Sequence, residues 1–226
     1  MRNKVAVSIM CADQLNLAEE LRRLEASRVD LLHCDVMDGK FVKNLAMGPY
    51  ILEAIKRETN IPLDIHLATE DPAYYIDMFA PIKPKYISFH VEASVDVQSN
   101  IDKIKQYGIE PVIAISPETP IEDIFPYVSN VSMVLLMTVN PGFSGQAFNY
   151  DVLKKLSDLQ KKIEPLDHKP LIQVDGNIND KTVPLLVERQ ANVFVLGTSQ
   201  LFNDKPGSYD DKIADIRTLI SKEVSM

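Results

Sequence analysis

The chain has 226 residues, of which 46% are hydrophobic and 25% charged, a composition typical of globular proteins. Its net charge of -8, without a long run of Lys or Arg, argues against nucleic acid and anionic membranes as partners. No stretch is apolar for long enough to span a bilayer, and no signal-peptide cleavage pattern is visible, so we expect a cytoplasmic protein.

Short apolar runs rich in Val, Ile and Leu recur along the chain, mostly without strict alternation of polar and apolar residues. This pattern is typical of parallel strands that are covered on both faces. It predicts eight strands, at Val5–Met10, Leu31–Met37, Pro62–Leu67, Tyr86–Val91, Pro111–Ile115, Met133–Val139, Leu171–Val174 and Val193–Leu196. Cys11, directly after the first of these segments, and Cys34, in the second, each lie in an apolar strand-like run and are interpreted as buried free thiols.

Amphipathic segments separate the strands and predict helices. One begins after Asp71, a residue type that caps helices well, and another ends before Gly108. The predicted helices are Leu15–Ala26, Pro49–Glu58, Pro72–Phe79, Val95–Tyr107, Pro120–Val128, Tyr150–Ile163, Lys181–Glu188 and Tyr209–Lys222.

Strand and helix therefore alternate eight times, which favours parallel neighbours joined by right-handed crossovers. Eight is also the number of strands that closes a barrel filled by its own side chains. We predict an α/β fold, a single (β/α)8 TIM barrel spanning residues 1–226. An open doubly wound sheet, which usually has fewer strands, is the second choice, and length alone also allows two small domains.

Histidine and aspartate side chains fall near the ends of three predicted strands, where TIM barrels carry their chemistry. His33 and Asp35 are two positions apart on the second strand and therefore face the same way. His66 lies at the matching place on the third strand, and Asp175 ends the seventh. Together the four predict a divalent-metal site. Asp35 and Asp175, three strands apart around the ring, could then remove and return a proton on opposite faces of one carbon.

The other two histidines are interpreted differently, because a lone strand histidine is more often a core residue than a ligand. His90 ends the fourth predicted strand, where lining the pocket, packing in the core and supporting another residue all remain open. His168 lies in a polar segment before Pro170 and is interpreted as a surface residue.

Glycines cluster after the last three predicted strands, in Asn140–Gln146, at Gly176 and at Gly197. Backbone N–H groups near glycine can cradle a phosphate, and TIM barrels often bind phosphate in these loops. Methionines lie near the ends of the first, second and sixth strands, at Met10, Met37 and Met137. Core packing is their default interpretation, and the alternative is an apolar pocket wall that limits proton exchange with water.

In these residues the chain resembles the ribulose-phosphate 3-epimerase family. The matching segments run in collinear order through nearly the whole chain, and the second and sixth of them are highly specific together. They are SIMCAD at Ser8–Asp13, HCDVMDGKFVKN at His33–Asn44, LDIHL at Leu63–Leu67, FHVEAS at Phe89–Ser94, SPETP at Ser116–Pro120, MTVNPGFSGQAF at Met137–Phe148, VDGN at Val174–Asn177 and VFVLGTS at Val193–Ser199.

The resemblance implies an isomerase, a phosphate-binding barrel that inverts C3 of a ketose phosphate with one divalent metal ion (Zn, Mn, Fe or Co), and suggests a homo-oligomer. It implies that Asp35 and Asp175 are the acid/base residues and that the metal ligands are His33, Asp35, His66 and Asp175. The implied substrate-binding residues are Ser8, His66, Gly142, Phe143, Ser144, Gly145, Gly176, Asn177, Gly197 and Thr198.

Three positions depart from the usual family pattern. Ala68 stands where the family usually has Met after HL, which would reshape the pocket wall. Asn177 and Ser144 stand where Gly is common. Both can keep backbone contacts to phosphate if their backbone angles tolerate a side chain.

Several short segments are similar to the family branch that acts on D-allulose 6-phosphate, so the expected reaction is its conversion to D-fructose 6-phosphate. These segments are Met10–Cys11, Met137–Val139, Gly197–Ser199 and Leu201–Asn203, with the non-Gly residue Asn177. The alternative is conversion of D-ribulose 5-phosphate to D-xylulose 5-phosphate. An aldolase or decarboxylase is more distant, because the strand interiors carry no Lys for a Schiff base. A non-catalytic sugar-phosphate binder is also more distant, because burying four unpaired polar residues is costly.

Overall fold

The structure is a computed structural model that describes residues 3–221, in which eight parallel strands close into a barrel. The strands are β1 (Lys4–Ser8), β2 (Leu31–Asp38), β3 (Leu45–Ala46), β4 (Leu63–Ala68), β5 (Tyr86–His90), β6 (Glu110–Ile115), β7 (Met133–Met137), β8 (Leu171–Asp175) and β9 (Val193–Leu196). β1 pairs with both β9 and β2, which closes the ring. The short β3 is outside the ring and pairs antiparallel with the end of β2. The predicted (β/α)8 barrel is confirmed.

Two strands, β1 and β7, end two residues earlier than the apolar runs suggest. β1 ends at Ser8, and Ile9–Cys11 form a 3-10 turn in which Ile9 is still fully buried. The apolar run in the sequence therefore continues past Ser8, the last residue that is paired in the sheet, because Ile9 is buried in the core. Cys11 lies in this turn and is partly exposed, so its prediction as a buried strand thiol is wrong, whereas Cys34 is a buried free thiol as predicted. β7 likewise ends at Met137, two residues before the predicted end.

Seven α-helices connect the strands and cover the barrel. They are α1 (Leu17–Ala26), α2 (Pro49–Glu58), α3 (Pro72–Phe79), α4 (Val97–Gln106), α5 (Val152–Ile163), α6 (Val183–Val187) and α7 (Tyr209–Ser221), counted over the described residues 3–221. Asp71 caps α3 as predicted, since its side chain accepts a hydrogen bond from the Tyr74 backbone N–H. The predicted last residue of α7, Lys222, lies outside the described part of the chain. No helix within residues 3–221 is long and apolar enough to cross a membrane.

The helix predicted at Pro120–Val128 is wrong. Only Ile121–Ile124 form a short 3-10 helix there. Pro126 follows closely, and its ring and missing N–H prevent continuation of an α-helix through this segment. Ile121 and Ile124 are buried, so the connection between β6 and β7 still packs on the barrel.

The hydrophobic core has two main layers. The larger layer lies between strands and helices, and it includes Val7 and Leu32 with Leu21 and Leu24 of α1. The smaller layer consists of strand residues that fill the barrel interior, including Ala6, Val112, Met133, Leu135, Val193 and Val195. Because these side chains fill the barrel interior, the barrel offers space for a ligand at the ends of its strands.

Candidate active site

A cavity of about 280 Å³ opens at the carboxyl ends of the strands. It is bordered by the last residues of β1, β4, β7 and β8 and by the loops that follow β7, β8 and β9. All but one of the predicted site residues line it: Ser8, Met10, Asp35, Met37, His66, Met137, Gly142, Phe143, Ser144, Gly145, Asp175, Gly176, Asn177, Gly197 and Thr198. The exception is His33, which is fully buried behind the lining.

Strand register brings the polar side chains to one level of the barrel. Ser8 of β1 is paired with His33 of β2, and Asp35 of β2 is paired with His66 of β4. His33 and Asp35 share a face because they are two residues apart. Asp175 comes from β8, three strands from β2 through β1 and β9. Ser8 Oγ donates a hydrogen bond of 2.8 Å to Asp35 Oδ2 and so fixes that carboxylate.

Four side chains meet at the floor of the cavity. His33 Nε2 lies 3.4 Å from Asp35 Oδ1, 3.5 Å from Asp175 Oδ2 and 3.3 Å from His66 Nδ1. His66 Nδ1 lies 3.2 Å from Asp35 Oδ1. One ligand atom from each residue falls within 4.8 Å of all the others. The structure thus brings together the four residues that the sequence analysis grouped.

The donor set of this cluster fits a divalent cation. Nitrogen and carboxylate oxygen atoms that share one ion at about 2.0–2.2 Å lie roughly 3–3.5 Å apart, as most of these contacts do. Several contacts of 3.3–3.5 Å are long for hydrogen bonds, and they converge on a single His33 nitrogen. Two imidazoles with two carboxylates suit zinc, manganese, iron or cobalt. The described residues therefore fit the cation that the family resemblance implies.

The ionisation of the buried groups favours positive charge at the cluster. Burial lowers the pKa of His33, but the carboxylates of Asp35 and Asp64 outweigh burial and hold that pKa well above its usual value. Burial opposes ionisation of Asp35, yet contacts with His33 and His66 keep the pKa of Asp35 below its usual range. Burial, together with the charges of Asp35 and Asp64 and against that of His33, raises the pKa of Asp175 to about 7. A bound cation would compensate the negative charge of the carboxylates, as a proton does.

Two buried residues behind His33 were not found by the sequence analysis. Asp64 Oδ2 lies 2.8 Å from His33 Nδ1 and accepts a 2.6 Å hydrogen bond from Gln173 Nε2. Both residues are fully buried. Asp64 orients the His33 ring so that Nε2 faces the cluster. A sequence signal existed, because Asp64 lies two positions before His66 in LDIHL and so shares its face.

The structure resolves the alternatives left open for His90. This side chain is fully buried and does not line the cavity. Its Nε2 lies 3.0 Å from His66 Nε2, and its Nδ1 lies 3.0 Å from Glu92 Oε2. Burial lowers the pKa of His90, partly offset by Glu92. His90 therefore supports another residue, and His168 is exposed as interpreted.

The glycine-rich loops after β7, β8 and β9 also line the cavity. Gly176 has φ +119°, and a Cβ there would lie 2.6 Å from a Val139 methyl group, so only glycine fits. Asn177 has φ +52°, in the left-handed region that Asn tolerates better than most residues. Its Nδ2 donates to the backbone oxygen of Gln146. That hydrogen bond joins the two loops. The Gln146 side chain, whose role is not visible in the sequence pattern, donates to the Asn140 and Phe143 carbonyls and so holds its own loop together.

The apolar wall contains the three predicted methionines. Met37 and Met137 are 6% and 4% exposed, and Met10 is partly buried, so all three are shielded while bordering the cavity. Ala68 lies in the same wall and packs with Met37 and Val42. Where the family usually has Met, this chain therefore presents a methyl group to the cavity.

Comparisons with known proteins agree with this arrangement. A model of the ribulose-phosphate 3-epimerase family matches residues 4–202. A ribulose-phosphate 3-epimerase of Bacillus subtilis is 41% identical over 197 residues, covering 87% of this chain and 91% of the relative. One of Helicobacter pylori (strain 26695) is 41% identical over 202 residues, covering 89% and 92%. A cytoplasmic isoform of Oryza sativa is 37% identical, covering 90% of each chain.

Solved structures with low sequence identity share the fold. A 3-hexulose-6-phosphate synthase superimposes with a TM-score of 0.69 at 15% identity, covering 96% of this chain and all of the other. A phosphoribosyl anthranilate isomerase of Thermococcus kodakaraensis gives 0.65 at 15% identity, covering 97% and 99%. At such identities these likenesses concern the barrel alone. The family match and the three relatives go further: this chain belongs to the ribulose-phosphate 3-epimerase family and is an isomerase that epimerises a ketose phosphate.

Proposed function

We propose that the protein interconverts D-ribulose 5-phosphate and D-xylulose 5-phosphate. The observation that carries this proposal is the meeting of Asp35 and Asp175, from strands on different sides of the ring, at the floor of one cavity. The relatives reported above are named for ribulose phosphate, which supports a pentulose. They give no support to the expected D-allulose 6-phosphate, which we therefore place second.

Asp35 and Asp175 would move the proton at C3. One carboxylate removes the proton from one face of the carbon, and the other, in its acid form, returns a proton to the opposite face. In the reverse reaction the two residues exchange roles. Ser8 holds Asp35 in place through its hydroxyl group, and His33 lies between the two carboxylates.

His33, Asp35, His66 and Asp175 would hold one divalent cation. When bound, the cation polarises the substrate oxygens next to C3 and so makes this carbon more acidic. Strands β2, β4 and β8 hold the two imidazoles and the two carboxylates in position before substrate arrives. Their burial makes every charge contact stronger than it would be in water.

The loop residues would bind the phosphate through backbone N–H groups. Gly142–Gly145, Gly176, Asn177, Gly197 and Thr198 line the cavity. Such glycine-rich loops bind phosphate without a basic side chain, which suits a chain of net charge -8. Met10, Met37 and Met137 would keep bulk water from the carbon between proton removal and return.

The hexulose phosphate remains a second candidate because of one observation. Ala68 lines the cavity with a smaller side chain than the Met that is usual in the family. Turnover of both ketose phosphates by metal-stripped protein restored with Zn, Mn, Fe or Co compares the candidates directly. We expect a higher kcat/KM for the pentulose, and a higher value for D-allulose 6-phosphate would reverse our order.

The reaction class is tested in heavy water. We expect deuterium at C3 of recovered substrate and product, without cleavage products. Replacement of Asp175→Asn should lower kcat by about 10²–10⁴-fold, because it removes one of the two proton carriers. Asp180→Asn, an exposed change on the same loop, is the matched control and should leave kcat unchanged. Full turnover by the Asp175→Asn protein would contradict the two-carboxylate reaction.

A further inference from the structure

A chain of hydrogen bonds leads from the cavity floor into the barrel wall, through His66 and His90 to Glu92. We propose that Glu92, acting through His90, is a positioning residue that keeps the His66 Nδ1 lone pair available for a cation. Neither His90 nor Glu92 lines the cavity. The inference rests on the proposed metal site, but it concerns cation binding and not the epimerisation step.

The two ring nitrogens of His66 have different surroundings. Nδ1 faces the cluster, 3.2 Å from Asp35 Oδ1 and 3.3 Å from His33 Nε2. Nε2 points away and lies 3.0 Å from Nε2 of His90. A cation held by the cluster would therefore bind His66 through Nδ1, which must then carry no proton. The single proton of the neutral ring must be on Nε2.

The contact between His66 and His90 decides where that proton can go. Two ring nitrogens 3.0 Å apart form a hydrogen bond only if one of them carries a proton and the other does not. For His66 Nε2–H to donate, His90 Nε2 must accept, and neutral His90 must carry its own proton on Nδ1. That Nδ1 faces Glu92 Oε2 at 3.0 Å, and a carboxylate can only accept. Glu92 therefore selects the one proton arrangement that leaves His66 Nδ1 free.

The surroundings of His90 make Glu92 the group that selects its tautomer. His90 is fully buried, and the Phe41 ring packs against it with a centroid distance of 4.7 Å. The other nearby polar group is the Ser116 hydroxyl, 3.4 Å from His90 Nδ1, which can donate or accept and so selects neither tautomer. The carboxylate of Glu92 is closer and accepts only.

The Ser116 backbone makes a sharp test possible. Its N–H donates a 2.7 Å hydrogen bond to Glu92 Oε1, so an acceptor is required at that position. In Glu92→Gln, the amide oxygen would occupy this position and the NH2 group would face His90 Nδ1. Two donors would then meet unless His90 moves its proton to Nε2. That shift pushes the His66 proton onto Nδ1, where it competes with the cation.

The experiment measures zinc affinity and histidine tautomers. Zinc binding to metal-stripped wild-type, Glu92→Gln and Glu118→Gln proteins is measured by competition with a chromophoric chelator at pH 7.5. Glu118 is exposed, on the loop that contains Ser116, so its variant removes the same charge without touching His90. We expect zinc affinity to fall about 10–100-fold in Glu92→Gln and to stay at the wild-type value in Glu118→Gln. Equal affinities of wild type and Glu92→Gln would overturn the proposal.

Nitrogen-15 NMR of the zinc-loaded wild-type protein gives a second readout that needs no variant to fold. We expect a proton on Nδ1 of His90 and on Nε2 of His66. A His90 proton on Nε2 alone would also overturn the proposal. Both readouts are independent of turnover: a protein that binds zinc in this way but epimerises neither ketose phosphate would contradict the proposed function and leave this inference standing.

Discussion

At the scale of single residues, the site depends on buried groups that never reach the cavity. Asp64 shows this most clearly, because one of its oxygens serves two donors. Oδ2 lies within hydrogen-bond distance of His33 Nδ1 and of Gln173 Nε2, while Oδ1 has no partner among the described residues. The orientation of His33 therefore depends on a single acceptor atom.

This asymmetry predicts different results for two replacements of Asp64. In Asp64→Asn, the amide oxygen can take the Oδ2 position and keep both hydrogen bonds. In Asp64→Ala, His33 and Gln173 each lose a buried partner, which costs about 1–3 kcal/mol per group. We expect urea denaturation of the metal-free proteins to show a clearly larger loss of unfolding free energy for Ala than for Asn. Equal losses would mean that volume and charge matter here and the shared oxygen does not.

Glu92 gives a pH-dependent contribution to stability. Burial raises its pKa, but contacts with His90, Thr119 and the Ser116 N–H outweigh burial and lower the pKa from 4.5 to about 2. Because the folded pKa lies below the unfolded one, the ionised group stabilises the fold above about pH 4.5. This stabilisation is lost as the pH falls towards 2.

The corresponding prediction compares wild type with Glu92→Gln in urea at several pH values. The wild-type advantage in unfolding free energy should be largest at pH 6–7 and should shrink steadily between pH 4.5 and the lowest pH at which the protein folds. An advantage that stays constant with pH would show that the Glu92 carboxylate contributes through shape alone.

At the scale of elements, backbone shape at the strand ends forms the loops that we propose bind the phosphate. Gly176, directly after β8, combines φ +119° with close contact to Val139. Gly207, before α7, has a similar φ of +109°, but a Cβ there would lie no closer than 3.5 Å to its neighbours. The two glycines share the backbone requirement and differ in the space available for a side chain.

We therefore expect Gly176→Ala to be more harmful than Gly207→Ala. Both should lose about 1–3 kcal/mol of stability from backbone strain. Gly176→Ala should also displace the loop after β8 and raise KM for the sugar phosphate, because Val139 borders the same cavity. Thermal unfolding and steady-state kinetics of the two proteins check this, and an unchanged KM in Gly176→Ala would argue against phosphate binding by this loop.

At the scale of the whole molecule, closure of the ring joins residues that are far apart in sequence. His33 and Asp175 are on strands separated by β1 and β9, so a cation held by both would connect strands that are not neighbours in the ring. A ligand that binds only the folded state stabilises it by about 2.7 kcal/mol at 100 times its Kd. Cation binding should therefore stabilise the entire barrel.

This predicts that Zn²⁺ raises the Tm of metal-stripped protein, by an amount that increases with its concentration. Mg²⁺ should have a much smaller effect at equal concentration, because it prefers oxygen to imidazole ligands. Asp175→Asn, which removes one carboxylate from the cluster, should reduce the Zn²⁺ shift. A shift of equal size in that variant would place the bound ion elsewhere.

The oligomeric state stays a prediction from the family resemblance.

The sequence by itself determined the order of the eight ring strands and of the seven α-helices that form within the described residues, the closed barrel and the group of four candidate ligands. It did so because apolar runs and residue spacing are local signals, and the parallel barrel then brings strand ends together. A spacing of two residues on a strand places His33 and Asp35 on one face. The failed helix at Pro120–Val128 is a local error, since Pro126 was visible in the sequence.

Only the tertiary structure decided what supports those ligands. Gln173 lies 109 residues from Asp64, and Ser116 lies 24 residues from Glu92, yet each pair is hydrogen-bonded. Hydrogen bonds of this kind depend on the register of neighbouring strands and on the direction of single ring nitrogens. No local pattern of residues encodes either of these, and both arise only when the ring of strands has closed.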